Sequence, residues 1–213
     1  MYLGKLFCFD GTHDLELQNR ISKAWAAFGA YSDELTDRRL DLKLRFQLFQ
    51  SVVQPTFLYG CSSWTLTRER EQLIQSTQRK MMRKIVGTRR RVLNGELESW
   101  LDWIVPATRL AEEARAHHGV PEWVEEVHRR RYRWASAVAC RNDGRWTKEI
   151  LSWTVTGVRR QARPFSRWTD SFRRFFEHMY GVEAATCDWL EIAADKQAWA
   201  NTEADYLHWT LGH

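Results

Sequence analysis

The stretch TREREQLIQSTQRKMMRKIVGTRRR, residues 67–91, decides how the chain folds. Leu73, Ile74, Thr77, Met81 and Ile85 recur at helical spacing, which predicts an amphipathic helix running from Thr67 to Lys84 with those residues as its core stripe. Glu69 and Glu71 stand in its first turn, where the helix dipole favours carboxylates, and Gly87 stands just past its end. The opposite face displays Arg68, Gln72, Arg79 and Arg83. Residues 68–91 hold nine basic against two acidic side chains, +7 in a chain whose formal net charge is only +5. A helix that buries one face and sets cations along the other is suited to lie on a polyanion. The plain alternative is a solvated face neutralised by Arg–Glu pairs within the molecule.

Upstream, Leu17, Ile21, Ala24, Trp25 and Phe28 form a second stripe that closes near Gly29, and Leu40, Leu44, Leu48, Phe49, Val52 and Val53 a third that Pro55 stops or kinks. Residues 2–9 read as one short apolar strand ending at the turn signal Asp10-Gly11. Downstream, Arg89, Arg90 and Arg91 lead into the turn pair Asn94-Gly95, where a module boundary is expected. Beyond it, a helix is expected from 106 to 118 and another after Pro121, with Val124, Val127, Trp134, Ala135 and Val138 as its stripe. Phe172, Phe175, Phe176 and Met179 mark a further helix, and Trp189, Ala193 and Trp199 the last. The fold class is therefore mainly α: a short strand or hairpin over 1–10, a helical bundle over 11–88, a basic linker over 89–96 and a Trp/Arg-rich helical tail over 97–213.

At 213 residues, 44% hydrophobic and 13% aromatic, the chain can fill a core, while its 28% charged residues include no uninterrupted apolar run of membrane-spanning length. Nothing at the start reads as a secretory signal, so an intracellular setting, nuclear or cytoplasmic, is expected. Cys8, Cys61, Cys140 and Cys187 lie far apart with no Cys-x-x-Cys pair, and are expected to be reduced and mostly buried. His117 and His118 are adjacent, about 100° apart on a helix, and cannot serve one metal as an i, i+4 pair would. No metal site and no cofactor are expected. No Asp-Asp pair, phosphate loop or nucleophile elbow occurs. Asp188, Glu191 and Asp195 share a helix face, read as a solvated acidic surface rather than a metal or general-base site. No catalytic residue is expected, and the chain is not read as an enzyme.

Of the 32 basic residues 25 are Arg, whose planar fork suits phosphate. Two more Arg-rich blocks follow, at 129–145 and 159–174. Trp123, Trp134, Trp153 and Trp168 are read as core residues with one wet edge, base stacking being the alternative.

Several motifs in order resemble the C-terminal part of non-LTR (LINE-type) retrotransposon reverse transcriptases. They are Tyr2-Leu3-Gly4; Arg20-Ile21 with Ala24-Trp25; Arg45, then Val52-x-x-Pro55, Leu58-Tyr59-Gly60 and Trp64; and Gln78-Arg79-Lys80-Met81-x-Arg83-x-Ile85-x-Gly87. The second half adds Arg129 to Trp134, Arg163-Pro164-x-x-Arg167-Trp168-x-Asp170, and Trp189-x-x-x-Ala193-x-Asp195-Lys196-x-x-Trp199. Departures occur where such tails often carry Trp-x-Gly-His and Gly-Arg-Pro; here Trp134-Ala135-Ser136-Ala137 and Ala162-Arg163-Pro164 stand instead.

The resemblance implies that residues 1–10 are the remnant of the last palm hairpin, 11–88 a thumb that grips template-primer duplex, and 97–213 the tail. It places the fingers and the catalytic palm upstream of Tyr2. The function it implies is RNA or DNA duplex binding without catalysis, through Arg79, Lys80, Arg83, Lys84, Arg89, Arg90, Arg91, Arg129, Arg130, Arg131, Arg163 and Arg167. The alternatives are a polymerase piece active only with a palm-containing polypeptide supplied in trans, and an inert helical remnant or protein-interaction domain. No membrane partner is expected. Self-association is expected through an apolar patch at Leu6, Phe7 and Phe9.

Overall fold

The computed structural model describes residues 4, 6, 14–93, 95–141, 143–152, 167–181 and 189–212. The described residues are mainly α-helical. In chain order they form α1 (Asp14–Ala30), α2 (Ser32–Thr36), α3 (Leu42–Leu48), a π-helical turn (Phe49–Val53), α4 (Gln54–Phe57), a short 3-10 turn (Cys61–Ser63), α5 (Arg68–Val86), strands β1 (Val92–Leu93) and β2 (Glu96–Leu97), then α6 (Trp100–His117), α7 (Trp123–Ala139), α8 (Trp146–Ser152), α9 (Asp170–Tyr180), α10 (Trp189–Ala194), α11 (Lys196–Asn201) and α12 (Glu203–Leu211). None of the described helices is long and apolar enough to cross a membrane.

Two compact units divide the chain: Met1–Tyr59 with Arg68–Val124, and Gly60–Thr67 with Glu125–His213. In the first unit α5 packs on α6, with α1 to α4 around them. Its core holds Leu17, Ala24, Phe28, Phe46, Phe49, Val53, Phe57, Ile74, Met81, Met82 and Ile85, all buried. Trp123 is fully buried, its indole stacked on Phe57 at 4.1 Å and Phe49 at 5.7 Å between ring centroids. The second unit is built on aromatic packing: Tyr132 stacks on Trp199 at 4.2 Å and Tyr206 at 4.5 Å, and Phe172, Phe175 and Trp189 close the cluster. Trp199 Nε1 donates to the Tyr132 carbonyl at 2.8 Å, so the indole is satisfied as well as buried.

Several expectations are corrected. Leu73, placed in the α5 stripe, is 42% exposed, and Gln78 and Met82 are buried instead. Leu40 and Leu44 are exposed, because Arg45 and Phe46 take the inward positions of α3. Pro55 does not stop its helix. The π turn ahead of it lets Gln54 N–H reach the Phe49 carbonyl, and Pro55 then occupies the first turn of α4, where a missing amide costs little. Pro106 lies inside α6, which begins earlier, at the cap residue Ser99; the carbonyl that loses its amide donor belongs to Asp102, an exposed residue. The strand expected over 2–9 lies outside the described residues except for Gly4 and Leu6. Gly4 turns at φ 78°, and the Leu6 amide donates to Glu16 Oε2 at 2.7 Å instead of to a strand neighbour. The strand pairing among the described residues is the antiparallel hairpin β1–β2, with Gly95 at φ 84° between the strands.

Candidate nucleic-acid interface

From Gln72 to Gly95 the chain contains no acidic residue. The helical phase of α5 divides its cations into two groups. Lys80 and Lys84, one turn apart, are exposed and have no ion-pair partner among the described residues. Arg79 and Arg83 turn towards α6 in the same unit. Arg79 Nε pairs with Glu112 Oε1 at 3.2 Å, and Arg83 Nη1 donates to Thr108 Oγ1 at 2.9 Å. Glu112 is held from its other oxygen by Arg115 at 2.8 Å, and Arg115 in turn donates to the Val120 carbonyl at 2.6 Å. Burial, helped by the Arg79 charge and opposed by Glu112, draws Arg83 below the usual arginine range.

Past Gly87 the three consecutive guanidinium groups of Arg89, Arg90 and Arg91 are exposed. Arg90 Nε donates to the Glu98 carbonyl at 2.8 Å, which anchors the loop to the strand opposite; Arg89 and Arg91 have no side-chain partner among the described residues. Gly87 adopts φ 80°, a left-handed turn that favours glycine, and a Cβ there would meet Arg38 Nε at 2.8 Å and push the guanidinium aside. Arg38 Nη2 donates to the Gly87 carbonyl, and Arg45 Nη1 to the Ile85 carbonyl. No local pattern signals these two contacts, which join residues 49 and 40 positions apart.

The remaining nominated cations lie in the second unit. Arg129 is clamped by Glu126 at 2.9 Å and also by Glu125, with Glu203 Oε1 at 3.6 Å; Arg130 pairs with Glu126 at 2.7 Å. Arg131 is 2% exposed, donates to the Trp168 carbonyl at 2.9 Å and lies over the Trp168 and Phe172 rings at 5.5 and 5.7 Å. A cation so enclosed is part of the core and is removed from any surface track. Arg167 is exposed, its backbone amide donating to Asp170 Oδ2 at 2.8 Å. Arg163 lies outside the described residues, as do Trp153, Cys8, Cys187 and Asp188. Trp134 and Trp168 meet edge to face at 5.0 Å, and Trp168 Nε1 donates to the Ser62 carbonyl at 2.7 Å, so both serve the packing of this unit. Among the described residues no group of three His, Cys, Asp or Glu could hold a metal ion.

No family model matches the chain, and no solved structure gives a significant match. An uncharacterized transposon-derived protein of Caenorhabditis elegans is 30% identical over 200 residues, which make up 93% of this chain and 67% of that relative.

Proposed function

The chain belongs to a family of transposon-derived proteins, and from that premise we propose that it is the thumb and tail portion of a non-LTR retrotransposon reverse transcriptase, which binds nucleic-acid duplex without catalysis of its own. The observation that carries this reading is the acid-free run from Gln72 to Gly95, with Lys80, Lys84, Arg89, Arg90 and Arg91 all exposed on one unit. Ammonium and guanidinium groups held along a rigid helix and its following loop suit a row of phosphates, and contacts to phosphates carry no sequence information, so binding through them is sequence-independent. Arg79 and Arg83 support the track from beneath by fixing α5 to α6. Arg129, Arg130 and Arg131 hold the second unit together and are left out of the interface. The polymerase chemistry of the proposed parent requires paired carboxylates on two metal ions, which no Asp-Asp pair in this sequence provides.

The test is binding to a blunt duplex as a function of salt. About four phosphate contacts give a log–log slope near -4 on B-form DNA, and Lys80→Ala with Lys84→Ala makes it shallower by about two, equally on every sequence. Binding that ignores salt, or a double variant that binds as the parent does, overturns the reading.

A further inference from the structure

Where α5 ends, the first unit opens into a cleft of about 710 Å3. Arg38, Arg45, Arg89, Arg90 and Arg91 line it together with Trp103, Pro106, Ala107 and Leu110 of α6, and Glu98 is the single carboxylate in the lining. The end of a helix that exposes carbonyls is normally hostile to anions. Here Arg38 and Arg45 occupy the Gly87 and Ile85 carbonyls, which cancels that field and leaves a net positive mouth. Arg45 is only 7% exposed, yet its Nε has no partner, and Trp103 Nε1 is likewise buried without one. Two buried donors without acceptors thus belong to residues that line one cleft, and a ligand that brings acceptors would satisfy them. The Glu98 carboxylate does not serve them, since it accepts the Arg91 backbone amide at 3.2 Å.

We propose that this cleft holds one nucleotide of a single nucleic-acid strand, its phosphate on Arg89 and Arg91 with Arg45 behind them, and its base against Trp103 and the apolar wall of α6. The volume falls within the ordinary range for pockets that enclose a small ligand, whereas a duplex is too wide to enter. An aromatic ring offers stacking only to an unpaired base. The assignment deepens the nucleic-acid reading above and rests on it; it shares Arg89 and Arg91 with the duplex track and adds Arg45 and Trp103. A strand end emerging from the duplex along α5 would meet the cleft next.

The experiment compares the intact chain on a fluorescent oligothymidylate of about twelve nucleotides and on a blunt duplex. Trp103→Leu is expected to weaken single-strand binding about tenfold and to leave duplex binding unchanged. Arg89→Ala with Arg91→Ala, both exposed and therefore safe for folding, is expected to make the single-strand salt slope shallower by about 1.4. Thymidine replaced by 5-iodouracil should photocrosslink to the peptide containing Trp103. Crosslinks confined to other tryptophans, or equal losses on both ligands for Trp103→Leu, overturn the cleft while leaving duplex binding standing. A parent chain that binds neither ligand overturns both readings.

Discussion

The Gln78 side chain ties α5 to the start of α7 through both ends of its amide: Oε1 accepts the Trp123 backbone amide at 2.9 Å, and Nε2 donates to the Pro121 carbonyl at 2.9 Å. Gln78 is 2% exposed, so water cannot replace it. Gln78→Leu strands a buried N–H and a buried C=O together and is expected to cost about 3 kcal/mol, read as a lower urea midpoint at unchanged slope. A midpoint that does not move would mean that the loop before α7 relaxes to pair these groups elsewhere.

A second buried polar cluster fixes the first described residues to α1. Glu16 is 1% and Arg20 4% exposed; they pair at 2.6 Å, Arg20 also donates to the Gly4 carbonyl and lies 4.6 Å from the centre of the Tyr59 ring, and Glu16 accepts the Leu6 amide. Glu16→Ala leaves a buried guanidinium with no counter-charge and is expected to destabilise by about 3 kcal/mol, whereas changing both residues to apolar ones of similar size restores most of the loss. A double variant as unstable as the single one would show that the cluster holds a backbone conformation and not merely a charge.

These two clusters mark where sequence reading stopped. The apolar stripes of α1, α5 and α9 were legible because helical period depends only on neighbours along the chain. Whether a polar residue sits inside depends on partners far away: Gln78 needs Pro121 and Trp123, Arg131 needs Trp168, and Arg79 needs Glu112, 33 positions on. Hence Arg131 looked like part of an exposed triplet, and Leu73 looked buried although Gln78 took the inward place. The track itself was legible at Lys80, Lys84 and Arg89 to Arg91, since a run without acids remains basic however it folds. Arg38 lies far from that run in the sequence, and the turn at Gly87 brings the two together.

In the second unit, burial pushes the Cys61 thiol up to about 12, well above the usual thiol range, with Arg130 opposing the rise and Glu126 adding to it. Tyr132 is also raised, chiefly by burial. For both groups the folded chain keeps a proton that the unfolded chain has released. Stability present below pH 9 is therefore lost as pH climbs towards 12, by about 1.4 kcal/mol per pH unit for each group in its window. Cys61→Ala should flatten the lower part of that alkaline decline in a series of denaturation curves, and native Cys61 should resist thiol reagents at pH 8 until the chain unfolds. Rapid labelling of Cys61 in the folded protein would contradict its burial.

The last prediction turns on Glu112, which joins the acid-free track to the rest of the unit. Its carboxylate lies between Arg79 and Arg115, at 3.2 and 2.8 Å, with a 29% exposed side chain, and is the negative charge that holds Arg79 beneath the Lys80 and Lys84 face. Glu112→Gln keeps an oxygen and an amide in place but removes the charge. Exposed pairs of this kind contribute little, so stability should fall by no more than about 1 kcal/mol. Binding should respond in the other direction. Loss of one negative charge roughly 10 Å from bound phosphates, screened by salt, corresponds to about threefold tighter duplex binding. If Arg79, 42% exposed, then swings to a phosphate, the salt slope steepens by about 0.9 as well. Arg79→Ala in the Glu112→Gln background separates the two contributions: it should remove the added slope and keep the electrostatic gain. Duplex affinity that is unchanged by Glu112→Gln, at low and at high salt alike, would mean that no phosphate lies near α5 and would remove the physical basis for a grip along this helix.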